Sequence, residues 1–308
     1  MSDTSRNPMD PSARLVRALV SLEGLSVGDA FGERFFVSRE LAQSLVEQRT
    51  VPRAPWRYTD DTEMALSVVQ VLEDHGRVDP DALARLFAKR YRNDKNRGYG
   101  GTAHDILQKI GLGLPWREVS SEVFDGQGSM GNGAAMRVAP LGAWFAGDLS
   151  RVVAEARASA EVTHMHPEGQ AGAIAIAVAA AWACQRAEGG PGSSSQLFEA
   201  VLDATPAGAT RQGLEKARAW SLDSSPSSAA RELGSGQKVI SEDTVPFSVW
   251  CAARHLDSFE EAMWCTVAGF GDRDTTCAIV GGIVALSAGI ASIPATWRAA
   301  REPLHRRV

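Results

Sequence analysis

The chain runs to 308 residues, 44% of them hydrophobic, with a net charge of −5. That is enough apolar material for a sizeable core, in one large domain or two ordinary ones. The mildly negative balance excludes a general electrostatic pull toward nucleic acid or an anionic membrane surface.

Residues 1–12, reading MSDTSRNPMDPS, are polar and lack the apolar stretch of a secretory signal. They are expected to form a flexible N-terminal segment ahead of a helical domain spanning 13–308. Pro11 suits a first helical turn, and Leu15, Leu19 and Leu22 follow at helical spacing. From Asp60 onward, Ala65, Leu66, Val69 and Leu72 make one apolar face that ends near Gly76. Leu83, Leu86 and Phe87 mark another helix after Asp79 and Pro80. Further helices are predicted over 152–160, 168–186, 244–256, 259–268 and 275–287, with Pro246 in a first turn, where a missing N–H costs little. The longest apolar run, 171–184, is shorter than the roughly 20 residues that span a bilayer and reads as a buried helix.

Segments rich in Gly, Pro and Ser at 189–195, 205–208 and 222–228 punctuate the helices, and none is long enough for a domain linker. Strand alternation is missing throughout. The expectation is an all-α chain folded as a single compact multi-helix domain. Cys184, Cys251, Cys265 and Cys277 show neither a CxxC pair nor zinc-site spacing, as befits reduced thiols packed as small apolar residues in a cytoplasmic monomer. Arg298, Arg301, Arg306 and Arg307 read as a solvated basic terminus.

Two acidic clusters carry the most information: Thr59-Asp60-Asp61-Thr62 and Asp272-Arg273-Asp274-Thr275, each opening a predicted helix. Helix capping is one reading, since Asp60 with Glu63 fits a capping box and Asp274 could cap the last long helix. A cap needs a single oxygen, however, which leaves Asp61 and Asp272 without a purpose. Two carboxylates and a threonine hydroxyl, supplied twice, make an oxygen-rich site suited to two Mg²⁺ ions, or Mn²⁺ in their place. Should the two helix ends meet, four carboxylates would repel strongly unless divalent cations lay between them.

Gly126 to Gly133 read GQGSMGNG, which contains G-x-G-x-x-G at Gly126, Gly128 and Gly131. With Asp148 downstream, this permits a nicotinamide-dependent oxidoreductase, yet the preceding REVSSEVF is a poor buried strand and no repeated βαβ unit follows. A loop that offers backbone N–H groups to a diphosphate is the better reading. A flexible turn, the alternative, leaves Asn132 and Arg137 unexplained in an apolar segment. His164 and His166 lie between two helices as an H-x-H pair without a third zinc ligand. Glu168 is expected to favour the following helix through its dipole, and Met64, Met130 and Met136 to serve packing.

Taken in order, GLSVGDAFGERF (24–35), YTDDTEMAL (58–66), RGYGGT (97–102), GSMGNGAAMRVAPLG (128–142), THMHPEGQAGAIA (163–175) and GFGDRDTTCAIVGGIVAL (269–286) resemble the ADP-ribosylglycohydrolase family. The family includes dinitrogenase reductase-activating glycohydrolases and the ADP-ribosylarginine and ADP-ribosylserine hydrolases. The resemblance implies an all-α domain with a binuclear magnesium site in a cleft. Thr59, Asp60, Asp61, Asp272, Asp274 and Thr275 match the metal ligands. Gly128, Ser129, Met130, Gly131 and Asn132 match the loop holding the distal ribose and diphosphate. His164 matches a substrate-contacting histidine, and Tyr99, within RGYGGT, is assigned to substrate as well.

Two departures bear on the chemistry. Many members carry a glutamate seven residues after the Asp of the GDA motif; counting from Asp29, Phe36 stands there. Glu33 is the candidate replacement, against a solvated carboxylate beside Arg34. The 98–102 segment also lacks an aspartate found in the reductase-activating enzymes, with Asp94 and Asp105 nearby. The implied activity is Mg-dependent cleavage of the C1″ glycosidic bond of ADP-ribosylated proteins or small molecules, arginine-linked first, with Asp61, Asp274 and Glu33 as the catalytic set. Nucleic acid enters only as an ADP-ribosylated substrate. The alternatives are a non-catalytic ADP-ribose reader and a hydrolase of O-acetyl-ADP-ribose.

Overall fold

The computed structural model describes residues 10–190 and 192–308. Among them are sixteen α-helices and two short 3-10 turns; no strand forms, and only the isolated bridges Trp56–Arg301 and Gly131–Ile240 occur. The nicotinamide-dependent reading requires a parallel sheet behind its glycine loop, and these residues build none. Among the described residues, no helix is long and apolar enough to cross a membrane.

Helix α1 (Pro11–Glu33) begins after Asp10, whose carboxylate accepts from the Ser12 N–H. Residues 11 and 12, expected to be flexible, are therefore its first turn; residues 1–9 of that expected segment lie outside the described residues. Next come α2 (Arg39–Glu47), α3 (Asp60–His75), α4 (Pro80–Asn93), α5 (Gly101–Gly111) and α6 (Trp116–Glu122). Gly76 ends α3 in a left-handed conformation, as the fading apolar face indicated. The chain continues through α7 (Ala139–Trp144), α8 (Leu149–Glu161), α9 (Pro167–Ala187), α10 (Ser194–Ala204), α11 (Ala209–Ala219) and α12 (Pro226–Leu233). It closes with α13 (Ser241–Arg254), α14 (Phe259–Val267), α15 (Arg273–Ala288) and α16 (Ala295–Ala300).

Two expectations need correction. Pro226 opens α12 behind a Ser225 cap, so the 222–228 segment is half helix. Pro246 lies in the second turn of α13, because that helix starts at Ser241; its missing N–H leaves the Glu242 carbonyl without an intrahelical donor.

Helix α9 runs through the centre and is buried from Ala171 to Cys184, its alanines letting α7, α8, α10, α13 and α15 lie close around it. The contact that fixes the site is α1 against α15. A Cβ on Gly28 would stand 2.1 Å from the Cys277 carbonyl oxygen, and one on Gly32 would stand 2.2 Å from that of Arg273. The two backbones touch there, which only glycine permits. The C-terminal end of α1 is thereby set beside the N-terminus of α15. Phe31 stacks on Trp297 at 4.5 Å and meets Trp56 and Trp264 edge-on or tilted, forming an aromatic floor below that junction. The chain beyond α16 folds back over α3 and α4: buried Arg90 donates to the carbonyls of His305 and Arg306, and Glu302 accepts from the Tyr58 N–H at 3.0 Å.

Candidate functional site

Neither acidic cluster caps its helix. Thr59 and Asp272 occupy the N-cap positions of α3 and α15, and neither makes a side-chain cap bond. Glu63 reaches Arg90 at 3.1 Å instead of closing a capping box. The carboxylates are thus free of the structural duty that would otherwise explain them.

The two clusters meet in space. Thr275 Oγ1 lies 3.5 Å from Asp61 Oδ2, and Thr59 Oγ1 lies 3.0 Å from the same oxygen. Asp29 of α1 is the hub between them. Its fully buried carboxylate accepts from the Thr59 N–H and Thr59 hydroxyl (2.8 Å to Oδ1) and from the Thr62 N–H and hydroxyl (2.5 Å to Oδ2). That arrangement supplies the orphan donors at the start of α3 from a neighbouring helix. Asp29 appears in the sequence reading only as a position to count from. Its signal was a single carboxylate inside the small and apolar run GLSVGDAFG, with no solvated face to occupy.

Burial and mutual repulsion govern the electrostatics. Desolvation raises Asp29 to about 6 and, with the Asp29 charge, Asp60 to about 8. Asp61 and Asp274 are pushed well above the ordinary carboxylate range, first by burial and then by Asp274 and Asp272 respectively. Asp61 Oδ1 and Asp274 Oδ1 are shut off from solvent without a hydrogen-bond partner, although Asp274 as a whole residue is partly exposed. Orphaned carboxylate oxygens among four neighbouring acids fit a divalent cation, whose charge would offset the repulsion. Among the described residues, no three His, Cys, Asp or Glu side chains converge tightly enough to hold an ion alone. The hydroxyls of Thr59 and Thr275 would have to join the carboxylates as donors.

The glycine-rich loop lies against the same cluster, which it meets through Asn132. Gly128 adopts φ +76°, and a Cβ there would stand 2.6 Å from the His166 nitrogen. The start of α13 pins the loop: the Ser241 N–H donates to the Met130 carbonyl, and the Asn132 N–H to that of Val239. Asn132 Nδ2 reaches Asp272 Oδ2 at 2.7 Å and so joins the loop to the acidic cluster. The Gly131 N–H turns to Ser129 Oγ, whereas the Ser129 and Met130 N–H groups have no acceptor among the described residues.

Beneath the loop lies His164. Arg137, buried under Phe87, donates to the Gly133 and Ser159 carbonyls and, at 3.0 Å, to Thr163 Oγ1. Burial holds Arg137 down to about 9. A guanidinium only donates, so the Thr163 hydroxyl accepts from it and sends its own proton to His164 Nδ1, 2.7 Å away. The remaining ring hydrogen is then on Nε2, the edge facing Gly131. Burial, with the nearby Arg137 charge, holds the imidazole at about 3 and therefore neutral. Arg137 thus has a structural account that the apolar segment around it did not supply. Glu168 stands in the first turn of α9, and its carboxylate also caps α11, accepting from the Ala209 and Thr210 N–H groups at 2.7 and 2.8 Å.

Tyr99 is buried with an unpartnered hydroxyl that feels the Asp60 charge, and the segment carrying it is tied down where the Asp60 N–H donates to the Arg97 carbonyl. Glu33, the last residue of α1, is half-buried within range of the Asp272 charge, and burial raises its carboxyl. Phe36 is exposed, with the Arg273 guanidinium 4.8 Å above its ring. Phe36, Asp272 and Arg273 line a cleft of about 1770 Å³ that extends from the acidic cluster along α2, α11 and α12. Neither Thr59–Asp61 nor the glycine loop borders that cleft, so it adjoins the cluster without containing it.

The sequence model of the ADP-ribosylglycohydrolase family matches residues 10–307. Among curated proteins, the chain is similar to the ADP-ribosylhydrolase ARH3 of Xenopus tropicalis, 29% identical over 323 residues that cover 92% of this chain and 90% of the relative. It is likewise 29% identical to the Homo sapiens protein of that name over 272 residues, covering 78% and 73% of the two chains. A solved chain described as an ADP-ribosylglycohydrolase-related protein complex superposes with a TM-score of 0.63 over 94% of both chains at 23% identity, which speaks to the fold.

Proposed function

Because the chain belongs to the ADP-ribosylglycohydrolase family, we propose that it is an Mg²⁺-dependent hydrolase releasing ADP-ribose from a glycosidic linkage at C1″. One observation carries the reading: two acidic helix ends, freed from capping, come together in a buried cluster with solvent-shielded, unpartnered oxygens on Asp61 and Asp274. Thr59, Asp60, Asp61, Asp272, Asp274 and Thr275 would hold two divalent ions. When bound, these would supply Lewis acidity toward the distal ribose hydroxyls and a water of lowered pKa.

The protein's own groups divide the remaining work. The unpaired N–H groups of Ser129 and Met130 offer a place for diphosphate oxygens, and Gly128, at φ +76° and packed against His166, sets the turn that presents them. His164, neutral and protonated on Nε2, donates a hydrogen bond to substrate without adding charge. Tyr99 brings a desolvated hydroxyl to the Asp60 side. The carboxylates stabilise the positive charge that develops on the ribose as the C1″ bond breaks. Asp61 or Glu33 takes the proton of the attacking water. Glu33 is favoured where Phe36 offers no acid, since it alone at the end of α1 is half-buried beside Asp272. An arginine-linked substrate suits it, a guanidinium being the leaving group that a neighbouring carboxylate holds best.

The test is a panel of arginine-, serine- and O-acetyl-linked ADP-ribose, with Mg²⁺ or a chelator, on wild-type protein and Asp274→Ala. Release confined to wild type with Mg²⁺ is expected, greatest for the arginine linkage. Full turnover in chelator would overturn the metal-dependent reading. Tight ADP-ribose binding with no product from any linkage would leave only a reader.

A further inference from the structure

Cys251 on α13 and Cys265 on α14 bring their sulfurs to 3.8 Å, and neither belongs to the acidic cluster. Cys251 is wholly enclosed, while Cys265 forms part of the wall of a cavity of about 270 Å³ that opens between α2, α13 and α14. Arg49, Arg254, His255 and Glu261 share that wall. Arg49 is taken up by Glu261 in a two-pronged ion pair, and Arg254 donates to the Ser224 carbonyl. His255 stands on the same wall as Cys265 and favours its thiolate electrostatically. The other two cysteines lack this setting: Cys184 and Cys277 are buried, and neither lines this cavity or comes within hydrogen-bonding distance of another cysteine sulfur among the described residues.

We propose that Cys251 and Cys265 are an oxidation-responsive dithiol, in which Cys265 meets a small hydroperoxide through the cavity and Cys251 closes the disulfide. The chemistry is balanced within the pair and its oxidant. The Cys265 thiolate attacks one peroxide oxygen, the O–O bond breaks, and Cys265 becomes a sulfenic acid as hydroxide leaves. The Cys251 thiol then displaces that hydroxyl, the S–S bond forms, and its proton departs with the leaving group as water. The environments of the two sulfurs suit this division. A hydrogen bond from Cys251, helped by His255 and Arg254, holds Cys265 at about 6 against the effect of burial. Cys251 is pushed well above the ordinary thiol range by burial. A disulfide needs about 2.05 Å between sulfurs, and the remaining gap is within the travel of a cysteine χ1 rotation.

The experiment treats the full chain with a slight excess of hydrogen peroxide, then alkylates under denaturing conditions and maps the peptides. The expected result is a crosslink joining the Cys251 and Cys265 peptides, two of the four cysteines still alkylated, and recovery of all four after dithiothreitol. In Cys251→Ser, Cys265 should be labelled by dimedone, whereas in Cys265→Ser the remaining cysteines should stay reduced. Four alkylated cysteines after peroxide, or a link involving Cys184 or Cys277, would overturn the proposal. Because the readout is the covalent state of wild-type sulfur, it stands apart from ADP-ribose release and survives failure of either variant to fold.

Discussion

A single carboxylate can hold a site together without being part of its reaction, and Asp29 is placed to do so. Its two oxygens gather two backbone N–H groups and two hydroxyls, of which only the Thr59 hydroxyl has a second carboxylate, Asp61, in reach. Asp29→Ala would strand the other three, and a buried unsatisfied donor costs about 1–3 kcal/mol before any relaxation. Urea unfolding is expected to show a loss of about 3 kcal/mol or more, with ADP-ribose release falling alongside because Thr59, Asp60 and Asp61 lose their frame. A variant as stable as wild type would show that those donors find water instead. His164 makes the complementary case. It titrates near 6.5 when unfolded and at about 3 in the fold, so between those values the folded state binds fewer protons. Its contribution to stability is complete above about 6.5 and is lost as pH falls toward 3. Nitrogen NMR should find the imidazole neutral and Nε2-protonated from pH 5 to 8. Thr163→Val should mix the tautomers and raise KM more than it lowers kcat. An imidazolium signal at pH 7 would remove the Arg137–Thr163 relay from the account.

Among the elements, α1 and α15 decide whether the acids meet. Gly28→Ala would drive a methyl group into the Cys277 carbonyl, a backbone atom that cannot rotate away. The helices must part, at a cost of about 3 kcal/mol on the scale of overpacked cores. The acidic ends part with them, so the variant should need more Mg²⁺ for half-maximal activity even where it remains folded. A lower denaturation midpoint with unchanged Mg²⁺ dependence would show that the junction serves stability alone. This contact was not legible in the sequence, because a glycine in a helix announces close approach without naming the partner. Helices α3 and α9 were legible from continuous apolar faces and from Gly76. Helices α2, α5 and α10 to α12 were not, since they are short, half-exposed and interrupted by the same Ser, Gly and Pro residues that mark loops. The start of α13 was misplaced because Pro246 looks like a first-turn residue, whereas tertiary contacts with the glycine loop extend that helix back to Ser241. The acidic clusters were visible as excess carboxylates. Asp29 and the Arg137 relay needed three dimensions, because their partners lie on other helices or across a turn.

For the molecule as a whole, the buried acids set function against stability. Holding Asp60, Asp61 and Asp274 together beside Asp272 is unfavourable in the metal-free fold, because repulsion and desolvation both act on those three. A site that binds cations only when folded converts their affinity into stability, about 2.7 kcal/mol at a hundredfold excess over Kd. Wild type is therefore expected to unfold at a higher temperature in Mg²⁺ than in chelator. Asp274→Asn removes one charge while keeping the side chain's volume. Its metal-free form should be more stable than metal-free wild type, its gain from Mg²⁺ should shrink or vanish, and ADP-ribose release should be lost. Scanning calorimetry of both proteins, each with Mg²⁺ and with chelator, separates these effects. A less stable metal-free variant that still gains fully from Mg²⁺ would show that repulsion is not what the cation relieves, and that the ion binds elsewhere.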